Sequence, residues 1–149
     1  MIRRQLFALT VLVFVISGCG DGLVRVSVDG KLTVQGQPLG NTVVQFTPKE
    51  GTVGQGAIGM SDEQGKFTVT SSVKDDPGIP AGKYAVRLSR LVAIDGKVLP
   101  KDSVEADYPG AWESIPAPYF TDSSPLEITV DKGGALEIDL PAKLNAKKK

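Results

Sequence analysis

Val24-Arg25-Val26-Ser27-Val28-Asp29-Gly30-Lys31-Leu32-Thr33-Val34-Gln35-Gly36-Gln37-Pro38 is the stretch on which the fold turns. Read locally, Asp29-Gly30 is a hairpin turn, because that dipeptide supplies the positive φ angles a two-residue connection needs. Read over its whole length, it is a strand. Val24, Val26, Val28, Leu32 and Val34 share one parity, and Arg25, Ser27, Asp29, Lys31 and Thr33 share the other. Alternation that continues on both sides of Gly30 predicts one strand running through it. Gly30 then sits on the apolar face and marks a close approach or a bend. The turn moves to Gln35-Gly36.

The same period of two recurs along the chain. Val44 and Phe46 share a face, as do Phe67 and Val69, and Tyr84, Val86 and Leu88. Leu126, Ile128 and Val130, and then Leu136, Ile138 and Leu140, repeat the pattern. Gln64-Gly65, Pro80-Ala81-Gly82 and Lys132-Gly133-Gly134 separate these runs as turns. Leu91 to Leu99 reads as a small hairpin around Asp95-Gly96. With 17 Gly and 10 Pro in 149 residues, the chain exceeds the usual combined share of about 12%. No segment after the N-terminal leader sustains a helical period. The expectation is an all-β domain, a seven-stranded antiparallel β-sandwich.

Composition excludes several chemistries. There is no His, hence no imidazole base, no Ser–His or Cys–His pair and no His metal ligand. The single Cys cannot close an internal disulfide or build a Cys-rich metal site. Seventeen basic residues balance seventeen acidic ones, without the basic footprint of a nucleic-acid binder. Asp75-Asp76, with Asp62-Glu63, offer oxygen atoms to Ca²⁺ but lack the ligand-rich loop spacing such a site requires, and read as solvated turn carboxylates. A sandwich of this size leaves little cleft for paired carboxylates. The chain is expected not to be an enzyme and to need no cofactor.

Residues 1–18 read as a removable leader. Arg3 and Arg4 precede Leu6 to Ile16, an uncharged, mostly apolar run of eleven residues, too short for a spanning helix of about 20. Ile16-Ser17-Gly18-Cys19 resembles the lipobox of bacterial lipoproteins. The resemblance implies cleavage before Cys19, a thioether-linked diacylglycerol on its sulfur and, with Gly20 next, outer-membrane sorting in the cell envelope. Residues 19–25 then form a lipid anchor and tether, 26–141 the sandwich, and 142–149 a basic tail of four lysines expected to be disordered. Residues 20–141 keep 11 basic side chains against all 17 acidic ones, so the domain itself is mildly acidic.

Three further stretches carry a second resemblance. Gly30 to Leu39 with Val43 to Pro48 is similar to the opening hairpin of carboxypeptidase regulatory-like domains, which are transthyretin-like sandwiches. Ser61-Asp62-Glu63-Gln64-Gly65-Lys66-Phe67 resembles their second signature, with Ser61 where Thr is usual. Pro80-Ala81-Gly82-Lys83-Tyr84-Ala85-Val86 resembles the third. Ile115-Pro116-Ala117-Pro118-Tyr119 and then Ser124 to Leu140 look like the closing segment and final hairpin of small lipoproteins carrying this domain. The motifs are structural. Asp62 forms a local turn, Gly65 takes a positive φ, Phe67 enters the core, and Tyr84 packs its ring while its hydroxyl reaches a backbone partner. The resemblance implies an interaction module and carries over no catalytic residue.

The segment from Leu91 to Pro125 holds five prolines, the only Trp and two of the three Tyr. Its candidate ligand-binding residues are Tyr108, Trp112 and Tyr119, which either stack on a sugar ring or anchor a partner, or else plug one end of the sandwich. Three roles follow: an envelope interaction module held in the membrane by acyl chains on Cys19, a carbohydrate-binding module, or an accessory subunit of a secreted hydrolase. The partners in view are an envelope protein or a glycan, and not nucleic acid.

Overall fold

The computed structural model describes residues 22–72 and 76–147. Residues 1–18, read above as a leader, lie outside them, as do Cys19, Asp75, Lys148 and Lys149. Among the described residues, eleven strands are formed: β1 (Val28–Val34), β2 (Gln37–Pro38), β3 (Val43–Pro48), β4 (Ala57–Met60), β5 (Lys66–Thr68), β6 (Thr70–Ser71), β7 (Gly82–Ser89), β8 (Leu91–Val92), β9 (Trp112–Glu113), β10 (Leu126–Val130) and β11 (Gly134–Leu140). The only helical turn among the described residues is a 3₁₀ turn at Glu105–Asp107. The fold is all-β, and no described helix is long and apolar enough to cross a membrane.

Two sheets face each other across one core. In the first, β11 lies along one edge of β1, while β2 and β5 share the other edge. The second runs β10-β7-β3-β4-β6 and is antiparallel throughout. Val28, Leu32, Phe67, Ile138 and Leu140 point inward from the first sheet, and Val44, Phe46, Tyr84, Val86 and Leu88 from the second. The Phe46 ring meets both sides of the core, tilted against Phe67 at 6.2 Å and edge-on to Tyr84 at 6.4 Å. These separations lie in the favourable range for aromatic pairs.

β1 passes straight through Asp29 and Gly30, and the chain reverses at Gln35 and Gly36, with φ values of 49° and 77°. Both angles are positive, as a two-residue turn matched to the strand twist requires. The Thr33 hydroxyl and the Gly36 amide donate to Asp139 and hold its carboxyl below the ordinary carboxylate range. Gly30 is buried because Phe67 lies over it. A Cβ at residue 30 would sit 2.0 Å from Phe67 Cζ, and one at Gly59 of β4 would sit 2.9 Å from Phe67 Cδ2. Two glycines, one in each sheet, therefore make the slot for one ring.

Asp62, Gly65 and Tyr84 take the local roles expected of them. Asp62 Oδ1 accepts the Gln64 and Lys66 amides at 2.9 Å, and Gly65 takes φ 78°. Ser61 Oγ, also buried, accepts from Thr42 N at 3.0 Å and donates to Leu39 O at 2.8 Å. Tyr84 is fully buried and its hydroxyl donates to Pro80 O at 2.7 Å, closing a tyrosine corner. Tyr84→Phe leaves that buried carbonyl unpaired and is expected to cost about 1–2 kcal/mol in denaturant unfolding at unchanged slope. No loss would mean that the ring alone holds the corner.

Three expectations are corrected, and one strand is added. Val24, on the apolar parity, is exposed, and pairing begins only at Val26, which bridges Ile79. The stretch from Leu126 to Leu140 is not a hairpin. β10 pairs with β7, whereas β11 pairs in parallel with β1 over its whole length, Val28 opposite Gly134 through Val34 opposite Leu140. Residues 131–133 carry the chain from one sheet to the other. Both arrangements bury the same alternate residues, so the pattern cannot distinguish them, and one sheet contains a parallel pair. β4 was not anticipated, because its inward residues are Ala57 and Gly59, too small to mark a face. Finally, residues 142–147 are ordered: Ala142 and Leu144 pack against the core. They extend the period-two series of Leu136, Ile138 and Leu140 beyond Pro141, a signal masked by the lysines between them.

The sandwich has two distinct ends. Val26, Gly82 and Gly134 mark the end where the described chain enters β1. There Leu23 and Pro80 each place an atom 3.4 Å from the Cβ position of Gly54, and Gly134 N donates to Ser27 O at 3.1 Å. β1, β7 and β11 all run from that end to the other, a length of about 23 Å for a seven-residue strand. Ser89, Arg90 and Leu140 lie at the distal end.

Candidate functional site

Everything between β7 and β10 is built on the distal end. β8 continues from β7, and a tight turn at Asp95 and Gly96 brings the chain back: Ala93 N donates to Lys97 O and Leu99 N to Leu91 O, both at 2.8 Å. The hairpin expected around Asp95-Gly96 is present, and β9 returns to pair with β8, Trp112 opposite Val92. Ile115 then plunges fully into the core, and Tyr119 O accepts from Leu88 N at 3.0 Å.

Glu113 fastens this assembly to the sandwich. Its carboxylate accepts from Ser89 Oγ at 2.8 Å, Arg90 N at 2.9 Å and Ile115 N at 2.8 Å. The Arg90 side chain donates from Nε to Gly40 O at 3.1 Å and from Nη1 to Ser114 Oγ at 3.3 Å. Burial lowers the Arg90 pKa, and the Glu113 charge opposes that shift.

The C-terminal segment completes the end. Asn145 N donates to Ser114 O at 2.7 Å, and its side-chain amide bridges Glu113 O at 3.2 Å and Ile115 O at 3.1 Å. Lys147 Nζ donates to Ile94 O at 3.0 Å. Between this segment and the loops lies a cleft of about 780 Å³. Ile94, Trp112 and Phe120 form its apolar walls, and Glu105, Asn145 and Lys147 its polar ones.

The three candidate aromatics are not brought together. Trp112 lines the cleft, half-buried. Tyr119 is turned onto the core. Tyr108 follows the 3₁₀ turn, 39% exposed, and does not line the cleft. Ile94, Phe120 and Asn145 went unnoticed in the sequence, and Lys147 counted only as one lysine of the basic tail. They are scattered over more than fifty positions and share no motif, and only the Leu136-to-Leu144 alternation hinted that the C-terminal segment docks.

Trp112 Nε1 is buried with no hydrogen-bond partner among the described residues. Trp112→Phe removes this orphaned donor, which is worth about 1–3 kcal/mol, and so offsets the apolar contact it loses. Stability is expected to change by less than about 1 kcal/mol, read from the denaturant midpoint. A loss of several kcal/mol would mean that the indole N–H is paired in solution.

Asp62 spends its carboxylate on its own turn, and no group of three metal-ligating side chains occurs among the described residues. Comparison with family models, with curated proteins and with solved structures returns no match.

Proposed function

We propose that this chain is a lipid-anchored interaction module of the bacterial cell envelope, a carboxypeptidase regulatory-like sandwich tethered through Cys19 to the outer membrane. It presents the Trp112 cleft to a partner protein. The observation that carries this reading is the opposition of the two ends: the tether enters where β1, β7 and β11 begin, and the cleft lies where they finish. A module built this way holds its recognition surface a strand's length from the bilayer. Acyl chains supply the membrane affinity, since two chains suffice for stable anchoring.

Two details favour a binding role over chemistry. Glu113, the more buried acid in the cleft, already accepts from a hydroxyl and two backbone amides. The remaining exposed apolar side chains of this end, Ile94, Val104 and Tyr108, fall in the same segment, as at a protein contact. A sugar platform would need the aromatics on one surface, and Tyr119 faces inward.

Cys19→Ala is expected to move the protein from the membrane pellet to the soluble fraction after an alkaline wash. Retention in the pellet would overturn the lipid tether. Ile94→Asp should abolish crosslinking to the partner from a probe placed at Val104 without altering fractionation, and undiminished crosslinking would remove the cleft from the reading.

A further inference from the structure

We infer that the 49–56 loop and Val24 form a lipid-contacting tip, which seats the tether end of the sandwich at the headgroup–acyl boundary of the bilayer. This inference rests on the anchoring at Cys19 proposed above.

The loop has its polarity reversed relative to a solvated turn. Thr52, its only hydroxyl, is turned inward: Oγ1 donates to Lys83 O at 3.0 Å and accepts from Lys83 N at 2.9 Å. Val53, its only branched apolar side chain, is turned outward and is 57% exposed. From residue 51 to 56 the sequence is Gly-Thr-Val-Gly-Gln-Gly, without a charge. Charged side chains stop at the loop base, where Lys49 pairs with Glu127 and Glu50 is exposed. Gly51, Gly54 and Gly56 take φ values of 83°, 99° and 94°, a left-handed path that brings the bend close to the domain without side chains in the way.

Val24 belongs to the same surface. It is 85% exposed, and its neighbour Leu23 packs beside Gly54. The large apolar side chains exposed in this structure thus divide into two groups, Ile94, Val104 and Tyr108 at the cleft end and Val24 and Val53 at the tether end.

Chain geometry joins this patch to the membrane. Three residues lie between Cys19 and Leu23, and an extended chain spans at most about 3.6 Å per residue step, so Leu23, beside the patch, stays within about 14 Å of an acylated Cys19. Contact with lipid is then intramolecular in effect and proceeds at a high local concentration. Two valines, too few to bind a membrane from solution, suffice to set the orientation of a domain already held there.

The test uses the full acylated chain reconstituted into phosphatidylethanolamine–phosphatidylglycerol vesicles containing a phospholipid brominated near the headgroup. The native chain has Trp112 as its only indole. A chain carrying both Val53→Trp and Trp112→Phe moves that indole to the proposed tip. Flotation with the vesicles is measured alongside fluorescence. Burial of the tip by about 5–10 Å should quench the relocated indole about two-fold or more, with Trp112 of the native chain unaffected. Slowed amide exchange at residues 51–54 of the unsubstituted chain on vesicle binding supports the same contact without any substitution. Flotation with an unquenched indole at the tip, unchanged exchange, or quenching of Trp112 instead would overturn the tip while leaving the anchor intact. Failure to float would overturn the anchor, and the tip with it.

Discussion

Gly30→Ala is expected to destabilise the sandwich by about 3 kcal/mol, the upper part of the range for overpacking a core. The added carbon would sit 2.0 Å from Phe67 Cζ and 2.4 Å from both Cε atoms. The ring cannot retreat, because Gly59 closes the other side of its slot and Phe46 lies tilted against it at 6.2 Å. Nor can β1 move aside, since β11 on one edge and β5 on the other hold it at this residue, Gly30 being opposite both Leu136 and Phe67. Shrinking the ring should make room, so Gly30→Ala combined with Phe67→Leu loses less than the two single variants together, by about 1–2 kcal/mol. Denaturant midpoints of the four proteins measure the cycle. Strict additivity, or a Gly30→Ala chain as stable as its parent, would mean that the two residues do not share the slot.

That slot also marks how far the sequence could be read. The alternation on either side of Gly30 predicted an unbroken β1, and its place on the apolar face predicted a close approach. What approaches was not legible, because the pairing of β1 with β5 that sets Phe67 opposite Gly30 leaves no mark in the alternation of either strand. The strands with Val, Leu, Ile or aromatic side chains at alternate positions were legible for the same reason that β4 was not. Periodicity is carried by bulk, and Ala57 and Gly59 have none. The parallel pairing of β1 with β11 left no trace, since Leu136, Ile138 and Leu140 face the core whether their strand folds back on β10 or crosses to the other sheet.

The cleft was the least legible part. Trp112 was singled out by its chemistry, but the surface it belongs to is assembled by Asn145, whose amide bridges Glu113 and Ile115. No local pattern connects position 145 to position 113. Counting lysines obscured the one available clue. Composition describes the average of a segment, whereas docking depends on two side chains, Ala142 and Leu144, falling on the right parity. Alternation placed the early strands, and it was silent along the long segment between β7 and β10, whose few strand residues are too short a run to show a period.

Glu113→Ala is expected to cost about 3 kcal/mol and to loosen the whole distal end. Alanine removes the acceptor for the Arg90 and Ile115 amides and for the Ser89 hydroxyl. It also removes the charge that opposes the desolvation of Arg90, which remains half-buried among carbonyl and hydroxyl partners. Glu113→Gln keeps one acceptor oxygen but turns an NH₂ toward donors, so it should recover only part of the loss. Glu105 provides the control. It lines the same cleft from an exposed turn, where its carbonyl accepts from Tyr108 N and its carboxylate has no hydrogen-bond partner among the described residues, and Glu105→Ala, which keeps that carbonyl, should stay within about 0.5 kcal/mol. Denaturant unfolding gives the free energies, and Trp112, next to Glu113 on β9, reports the local effect. Its emission should shift in Glu113→Ala under conditions where the strands remain folded by circular dichroism, and should not shift in Glu105→Ala. If both variants were equally mild, Glu113 would be a free carboxylate rather than a fastening, and an acid available to a ligand would have to be restored to the cleft.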